Sequence, residues 1–234
     1  MKELTISLVI PAHNEEKYIG ACLDHAIKNS GGKFFEIIVV DNASTDKTAE
    51  IVSKYRGIRL VYEAKKGTNS ARQRGLDEAN GDFIAYIDAD TRLGEGWIEL
   101  ATRFFSKRPE AVSLSGPYKY YDASRSMQAA LAVLWWLSAP LFYRLTGYMI
   151  LGGNFIAKRS ALVDMGGLDT SITFYGDDTD IARRLSAFGA VVFRMDFFIH
   201  SSCRRFLAQG FFRTNILYAL NYFWEAVFHR PFTT

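Results

Sequence analysis

Only two of the 234 residues are cysteine, Cys22 and Cys203, far apart and with no C-x-x-C spacing. That excludes a disulfide framework and fits a reducing compartment. A charge bias is also missing: 28 lysines and arginines face 25 acids, a net charge of +3 spread along the chain. A nucleic-acid partner is therefore not expected. The N-terminal stretch MKELTISLVIPAHNEE turns acidic after a short strand-like run, with no apolar leader segment or cleavage site. No secretory signal is read there, and a cytoplasmic location is expected. Internal repeats and low-complexity tracts are absent. No G-x-G-x-x-G follows the first apolar run and no G-x-x-x-x-G-K-[ST] occurs anywhere. A dinucleotide fingerprint and a P-loop are unsupported, so any phosphate must be held in another way.

What is present is a core-forming chain. Hydrophobic residues make up 49% and charged residues 23%, and aromatics thicken after residue 118. The first hundred residues alternate. ISLVIP (6–11), FEIIVVDN (35–42), IRLVYE (58–63) and FIAYID (83–88) read as strands. Between them, Glu15–Asn29 has helical apolar spacing, Ser44 or Thr45 can cap a helix through Tyr55, and GTNSARQRGLDEAN reads as a helix ended by Gly81. Strands alternating with helices over short joints predict an α/β fold with a mostly parallel sheet. Ligands of such sheets bind beyond the carboxyl ends of the strands. Polar and acidic residues stand there: His13-Asn14-Glu15-Glu16, Asp41-Asn42-Ala43-Ser44, and Asp88-Ala89-Asp90.

Each acidic group has two readings. Asp88 and Asp90 can hold Mg²⁺ or Mn²⁺, hard cations that take one or two carboxylates plus substrate phosphates. Read alone, the pair also fits two turn caps. Asp177, Asp178 and Asp180 crowd one helix start, where the macrodipole favours negative charge. Capping accounts for one of them, and a carboxylate so placed can act as a general base toward a hydroxyl. His200 ends the run VVFRMDFFIH. It is a structural histidine or, if it falls near Asp90, a metal ligand.

Taken together, VIPAHNEE, VVDNASTD, GTNSARQRGLDEANGDFIAYIDADT, GGNFIAKRSAL, MGGLD and GDDTDIARRL, in that order, resemble the glycosyltransferases of family 2. The resemblance covers roughly residues 5–205 and implies the GT-A fold, a Rossmann-like mostly parallel sheet flanked by helices. It implies a main domain over 1–203, with 1–92 as the nucleotide-binding half and 93–203 as the acceptor half. It implies that Pro11, Ala12 and Glu15 touch the nucleotide and that Asp41 meets its base. Arg72 would lie near the diphosphate, Asp88 and Ala89 near the ribose or sugar, and Asp90 on the metal, Mn²⁺ or Mg²⁺. Asp178 matches the catalytic base, with Asp177 before it. Gly152, Gly153 and Asn154 fall on the acceptor side, and His200 matches a further metal ligand of some relatives. The implied reaction is inverting transfer from a nucleotide sugar, a UDP-sugar by family frequency, to a sugar or lipid-linked acceptor. The pair Asp177-Asp178 replaces the family's Glu-Asp, and Gln73 stands where Asn is usual. QGFFR (209–213) lacks the tryptophan of the processive Q-x-x-R-W motif, so polymerisation is not expected. A nucleotidyltransferase would carry a Gly-rich basic loop where this chain has AHNEE. The competing reading is a weak or inactive nucleotide-binding chain of the same fold, docked on a membrane.

Two segments bear on that last point. Ser126–Tyr143 carries no charge and barely reaches spanning length, with Pro140 inside it. A single crossing would separate Asp90 from Asp178, so it is a core helix, a dipping hairpin or an interfacial helix. The segment 204–234 reads as an amphipathic helix with an apolar stripe from Ile216 to Phe228. Its Arg204, Arg205, Arg213, Tyr218, Tyr222, Trp224 and Arg230 suit a membrane surface.

Overall fold

The computed structural model describes residues 4–172 and 176–209, together with Asn221 and Trp224. The apolar stripe expected from Ile216 to Phe228 falls outside the described residues except at Trp224, as do Arg213, Tyr218, Tyr222 and Arg230.

The expected alternation is present. It runs β1 (Ile6–Ala12), α1 (Ile19–Ser30), β2 (Glu36–Asp41), α2 (Thr48–Ser53), β3 (Ile58–Tyr62), α3 (Thr68–Glu78) and β4 (Phe83–Ile87). There follow α4 (Trp97–Lys107), β5 (Ala111–Ser115), β6 (Tyr118–Tyr120), α5 (Arg125–Thr146), β7 (Asn154–Lys158) and α6 (Arg159–Asp164). The described chain continues with α7 (Asp177–Leu185), β8 (Ala190–Phe193), β9 (Ile199–Ser201) and α8 (Arg204–Gln209). Seven strands form one sheet in the order β3-β2-β1-β4-β7-β5-β8. β7 runs antiparallel between β4 and β5, and the other pairs are parallel. β6 and β9 form a separate parallel pair.

The central strands are apolar on both sides because both faces are covered. Leu8 and Ile10 of β1 pack with α1, α2 and α4, while Val9 packs with α3, α6 and α7. α3 lies close against β1 because Gly75 has no side chain: a Cβ there would fall 2.2 Å from a Val9 methyl.

Local expectations shift in three places. α1 begins at Ile19 rather than Glu15, because the Glu15 amide is bound by Thr48 Oγ1 at 2.8 Å and its carboxylate by Arg204. Neither Ser44 nor Thr45 caps α2. Ser44 Oγ accepts from the Asn14 amide, the Thr45 amide donates to Asn14 Oδ1, and Asp46 takes the Thr48 amide at 2.9 Å. Gly81 does not cap α3, which ends at Glu78. It allows a close approach, since a Cβ would lie 2.7 Å from the Ser7 amide nitrogen.

The uncharged stretch is one continuous helix, α5, begun by Ser124, whose hydroxyl accepts from the Met127 amide, and closed by Gly147 at φ 78°. Pro140 sits within it, so the hairpin reading is corrected. The core reading is corrected too: of the residues of α5, Leu131 and Ala139 are buried, whereas Trp136 is 70% exposed. α5 does have the length and composition to cross a membrane. The chain nevertheless enters it from β6 and leaves it into β7, and both ends belong to the same folded body.

Candidate functional site

A cavity of about 430 Å³ opens beyond the carboxyl ends of β1 and β4. The end of β1 contributes Pro11 and Ala12 to its wall, and the loop after it His13 and Glu15. The loop after β2 contributes Asn42, whose side chain binds the Glu63 and Lys65 carbonyls and the Gly67 amide. His13 Nδ1 lies 2.7 Å from the Asn42 carbonyl and joins the two loops. Both loops hold a left-handed residue, Asn14 at φ 56° and Ala43 at φ 54°. Asn tolerates that region through local hydrogen bonds, whereas Ala pays a strain that clusters at functional sites. Asp41 stands behind Asn42: it is buried, and its Oδ1 accepts from the Ser44 amide.

The turn after β4 decides between the two readings of Asp88 and Asp90. It is closed by the Asp88 carbonyl, which accepts from the Thr91 amide at 3.1 Å and the Thr91 hydroxyl at 2.7 Å. The two carboxylates are not used as caps, and Asp88, Ala89 and Asp90 all line the cavity. Burial, helped by the nearby Asp88, raises the Asp90 carboxyl to about 7, against the pull of Arg204. Arg204 Nε sits 2.8 Å from Asp90 Oδ2, its two terminal nitrogens clamp Glu15, and its guanidinium lies over the Tyr18 ring.

The second acid cluster divides its labour. Asp180 is structural, held by Arg183 at 2.6 Å and Arg184 at 3.4 Å. Asp177 Oδ2 accepts from Arg72 Nη1 at 2.8 Å. Asp178 Oδ1 is 3.5 Å from the same nitrogen and lies at the cavity wall. Arg72 Nη2 is 4.0 Å from Asp88, so one buried guanidinium gathers acids from two distant parts of the chain. Burial raises the Asp178 carboxyl to about 7 and Asp177 adds to this, while Arg72 and a backbone hydrogen bond from Gly152 oppose it. Asp177 is raised by the same burial.

Gly152 and Gly153 make this convergence sterically possible. A Cβ at 152 would fall 2.1 Å from both Arg72 Nη2 and Asp178 Oδ1, and one at 153 would fall 2.1 Å from Asp88 Oδ2. The Gly153 amide donates to the Tyr118 hydroxyl at 2.9 Å, and Tyr118 lines the cavity.

Two expected site residues lie elsewhere. Asn154 is fully buried and spends its side chain on the frame: Nδ2 donates to the Gly116 and Phe197 carbonyls, and Oδ1 accepts from Trp97 Nε1. It cannot face an acceptor. His200 is on the wrong side of β9. The neighbouring strand turns Tyr118 and Tyr120 into the cavity, while Lys119, paired with His200, and His200 itself do not line it. The imidazole packs edge-on to Phe198, with its pKa lowered by burial and by Lys119. Gln73 also points away, binding the Leu168 amide and Asp77.

Arg204 and Tyr118 are site residues that sequence reasoning missed. Arg204 faces the acids of the site rather than a membrane surface, and the signal that marks it is its place four residues past His200, close after β9. No three His, Cys, Asp or Glu side chains form a ready-made metal cage among the described residues. The donor set still suits a hard cation: Asp90 and Glu15 already hold a positive group between them, and Asp88 stands beside it. A divalent ion bound there would complete its shell with ligand oxygens and water.

A mostly parallel sheet with helices on both faces, a β7 strand reversed within it, and acids converging beyond β4 define the GT-A fold. The mannosyltransferase PcManGT from Pyrobaculum calidifontis, solved with GDP-Man and Mn²⁺, superposes with a TM-score of 0.76 over 97% of this chain and 65% of its own, at 18% identity. Glucosyl-3-phosphoglycerate synthase from Mycobacterium tuberculosis, with Mn²⁺ and UDP-Glc, gives 0.60 over 93% and 78%, at 21% identity. At these identities the likeness shows the fold. The model of glycosyl transferase family 2 matches residues 7–166, and the chain belongs to that family. The probable glycosyltransferase YdaM of Bacillus subtilis (strain 168) is 29% identical over 205 residues, 81% of this chain and 48% of that protein. The chain thus spans about half the length of that curated relative.

Proposed function

We propose that the protein is an inverting glycosyltransferase that moves a sugar from a nucleoside-diphosphate sugar, a UDP-sugar, to an acceptor hydroxyl. The observation that carries this reading is the meeting of Asp178, Asp177, Arg72, Asp88 and Asp90 at one cavity. The solved relatives' nucleotide sugars and Mn²⁺ support the donor class and the cation. Pro11, Ala12 and Glu15 edge the nucleotide side, with Asp41 behind Asn42. Asp90, with Asp88 beside it, would hold Mn²⁺ or Mg²⁺. A bound cation supplies charge neutralisation for the departing diphosphate.

Asp178 is the general base. Its carboxyl sits near 7, so at neutral pH a large share is ionised yet basic enough to accept a hydroxyl proton. The acceptor oxygen then attacks the anomeric carbon opposite the leaving group, which inverts the stereochemistry. Arg72 acts as a positioning residue: it keeps Asp177 fixed and gathers Asp178 and Asp88 around one guanidinium.

The test is donor turnover over a panel of nucleotide sugars with Mn²⁺ or Mg²⁺, for the wild type, Asp90→Ala and Asp178→Asn. Turnover of one donor, lost in both variants, is expected. Metal-dependent nucleotide binding with no turnover on any donor and acceptor would instead mark an inactive nucleotide-binding chain. Absence of both would sink the transferase reading.

A further inference from the structure

We propose that α5 seats the protein on an anionic lipid bilayer, lying in the plane of the headgroups. The outward side of α5 carries Val133, Trp136, Leu137, Leu141 and Leu145, each between 54% and 70% exposed. Their spacing, i, i+3, i+4, i+8 and i+12, places them on one helical stripe. Scattered exposed apolar residues are ordinary, but a contiguous row on one helix marks a surface made to be covered.

The opposite side of the same helix is already engaged. Leu131 packs with Tyr120, Cys203 and Phe206, the Tyr143 hydroxyl donates to the Val191 carbonyl at 3.0 Å, and Trp135 stacks with Phe193. α5 is thus fixed to the body along one side and bare along the other. It cannot cross a bilayer, because β6 before it and β7 after it lie in one folded body.

Two observations favour a bilayer over a second copy of the chain. The first is charge: α5 has no acidic residue, and its two charges, Arg125 and Arg144, stand one near each end. An apolar stripe flanked by cations matches an anionic headgroup layer, with Trp136 at the depth aromatic rings prefer. The second is continuity with the cavity. Leu134 is 39% exposed on the outer side and also lines the cavity beside Trp135, Ser138 and Phe142. Lipid against α5 would therefore reach the rim of the site that holds Asp178, and an acceptor with an apolar tail could enter along that wall.

The experiment is vesicle sedimentation of the full chain, with Leu137→Cys carrying an environment-sensitive fluorophore as a second reading. Wild type is expected to bind vesicles of phosphatidylcholine with phosphatidylglycerol, and to bind pure phosphatidylcholine more weakly. Trp136→Ser with Leu141→Ser should weaken binding roughly tenfold or more. Arg144→Gln should weaken it about fivefold, and on anionic vesicles alone. The label should shift to the blue only when vesicles are added. Three results would overturn the proposal. One is a chain that stays in the supernatant with anionic vesicles. Another is a label already blue-shifted without lipid, which would mean that protein covers the stripe. The third is a dimer in sedimentation velocity that the Trp136 and Leu141 substitutions dissolve. Thermal melts and Mn²⁺-dependent UDP binding of each variant report folding and the transferase site without lipid. Failure of docking and failure of the transferase reading are thereby told apart.

Discussion

Asp177 and Asp178 on one side of the cavity, and Asp88 and Asp90 on the other, are both pairs of acids that need a positive partner. They find it in different ways. The first pair is served by Arg72, whose side chain is 4% exposed, on a helix pressed against β1. In the second, Asp90 is served by Arg204, whose side chain is 39% exposed, on the six-residue α8, while Asp88 leans toward Arg72. A buried guanidinium cannot be left without its partner, whereas one that is half open to water can give way to another cation on the same nearly buried carboxylates. Arg72 is therefore part of the frame, and Arg204 is a counter-ion that can be replaced. That asymmetry suits the proposed reaction, in which the base would stay in place while a metal and a diphosphate come and go.

The largest expected effect comes from the fixed side. Asp178→Asn keeps the shape and the hydrogen bond from Gly152 but removes the proposed base. Turnover should fall by about 10²–10⁴ with nucleotide binding retained, as general-base losses do. Steady-state rates beside calorimetry on UDP and Mn²⁺ check this, and a variant with full turnover would end the assignment. Next is Arg72→Met. It strands Asp177, Asp178 and Asp88 with no buried counter-charge, and breaking a buried pair from one side costs about 3–5 kcal/mol. Urea unfolding measures it. A loss below about 1 kcal/mol would show that Arg72 is as dispensable as an exposed arginine.

The pH profile sharpens the same contrast. With the base near 7, kcat/KM should rise about tenfold per pH unit below that value and level off above it. An ordinary aspartate would place the bend near 4. The stability sign runs the other way. A folded-state carboxyl raised above its unfolded value binds its proton more tightly in the native protein. Its stabilising share is complete below about 4 and is lost as pH rises through about 7. Asp178→Asn should make that decline shallower, with the share of Asp90 and Asp177 remaining, read from melting temperatures across the same range.

Local pattern carried the first half of the sheet, since β1 to β4 are short apolar runs broken by helices whose periodicity is visible residue by residue. It also carried the acids, because a carboxylate at the end of a buried strand has nowhere else to go. What it missed depends on contacts far along the chain. Asn154 is taken by Trp97, 57 positions away, and no spacing rule marks that bond. His200 sits in a strand of three residues, Ile199–Ser201, too short for alternation to show which face it takes. The reversed β7, threaded between β4 and β5, leaves no local trace either. The same limit hid Arg204, whose carboxylate partners Glu15 and Asp90 lie 189 and 114 positions earlier in the chain.

The smallest effect tests the replaceable side. Arg204→Ala opens Asp90 and Glu15 to the cavity, where water and ions can reach them, so the fold should be nearly unaffected. A divalent cation at the proposed site should then bind more easily to the nucleotide-free protein, because it no longer displaces a guanidinium. Arg204 is half-exposed but Asp90 and Glu15 are nearly buried, so the pairing is worth more than the about 0.2–1 kcal/mol of an exposed pair, and Mn²⁺ affinity should improve by roughly fivefold or more. A Mn²⁺ titration followed by electron paramagnetic resonance measures this directly. Weaker Mn²⁺ binding in the variant, or a fall in melting temperature as large as that of Arg72→Met, would mean that Arg204 belongs to the frame after all. The two arginines would then differ in exposure but not in role.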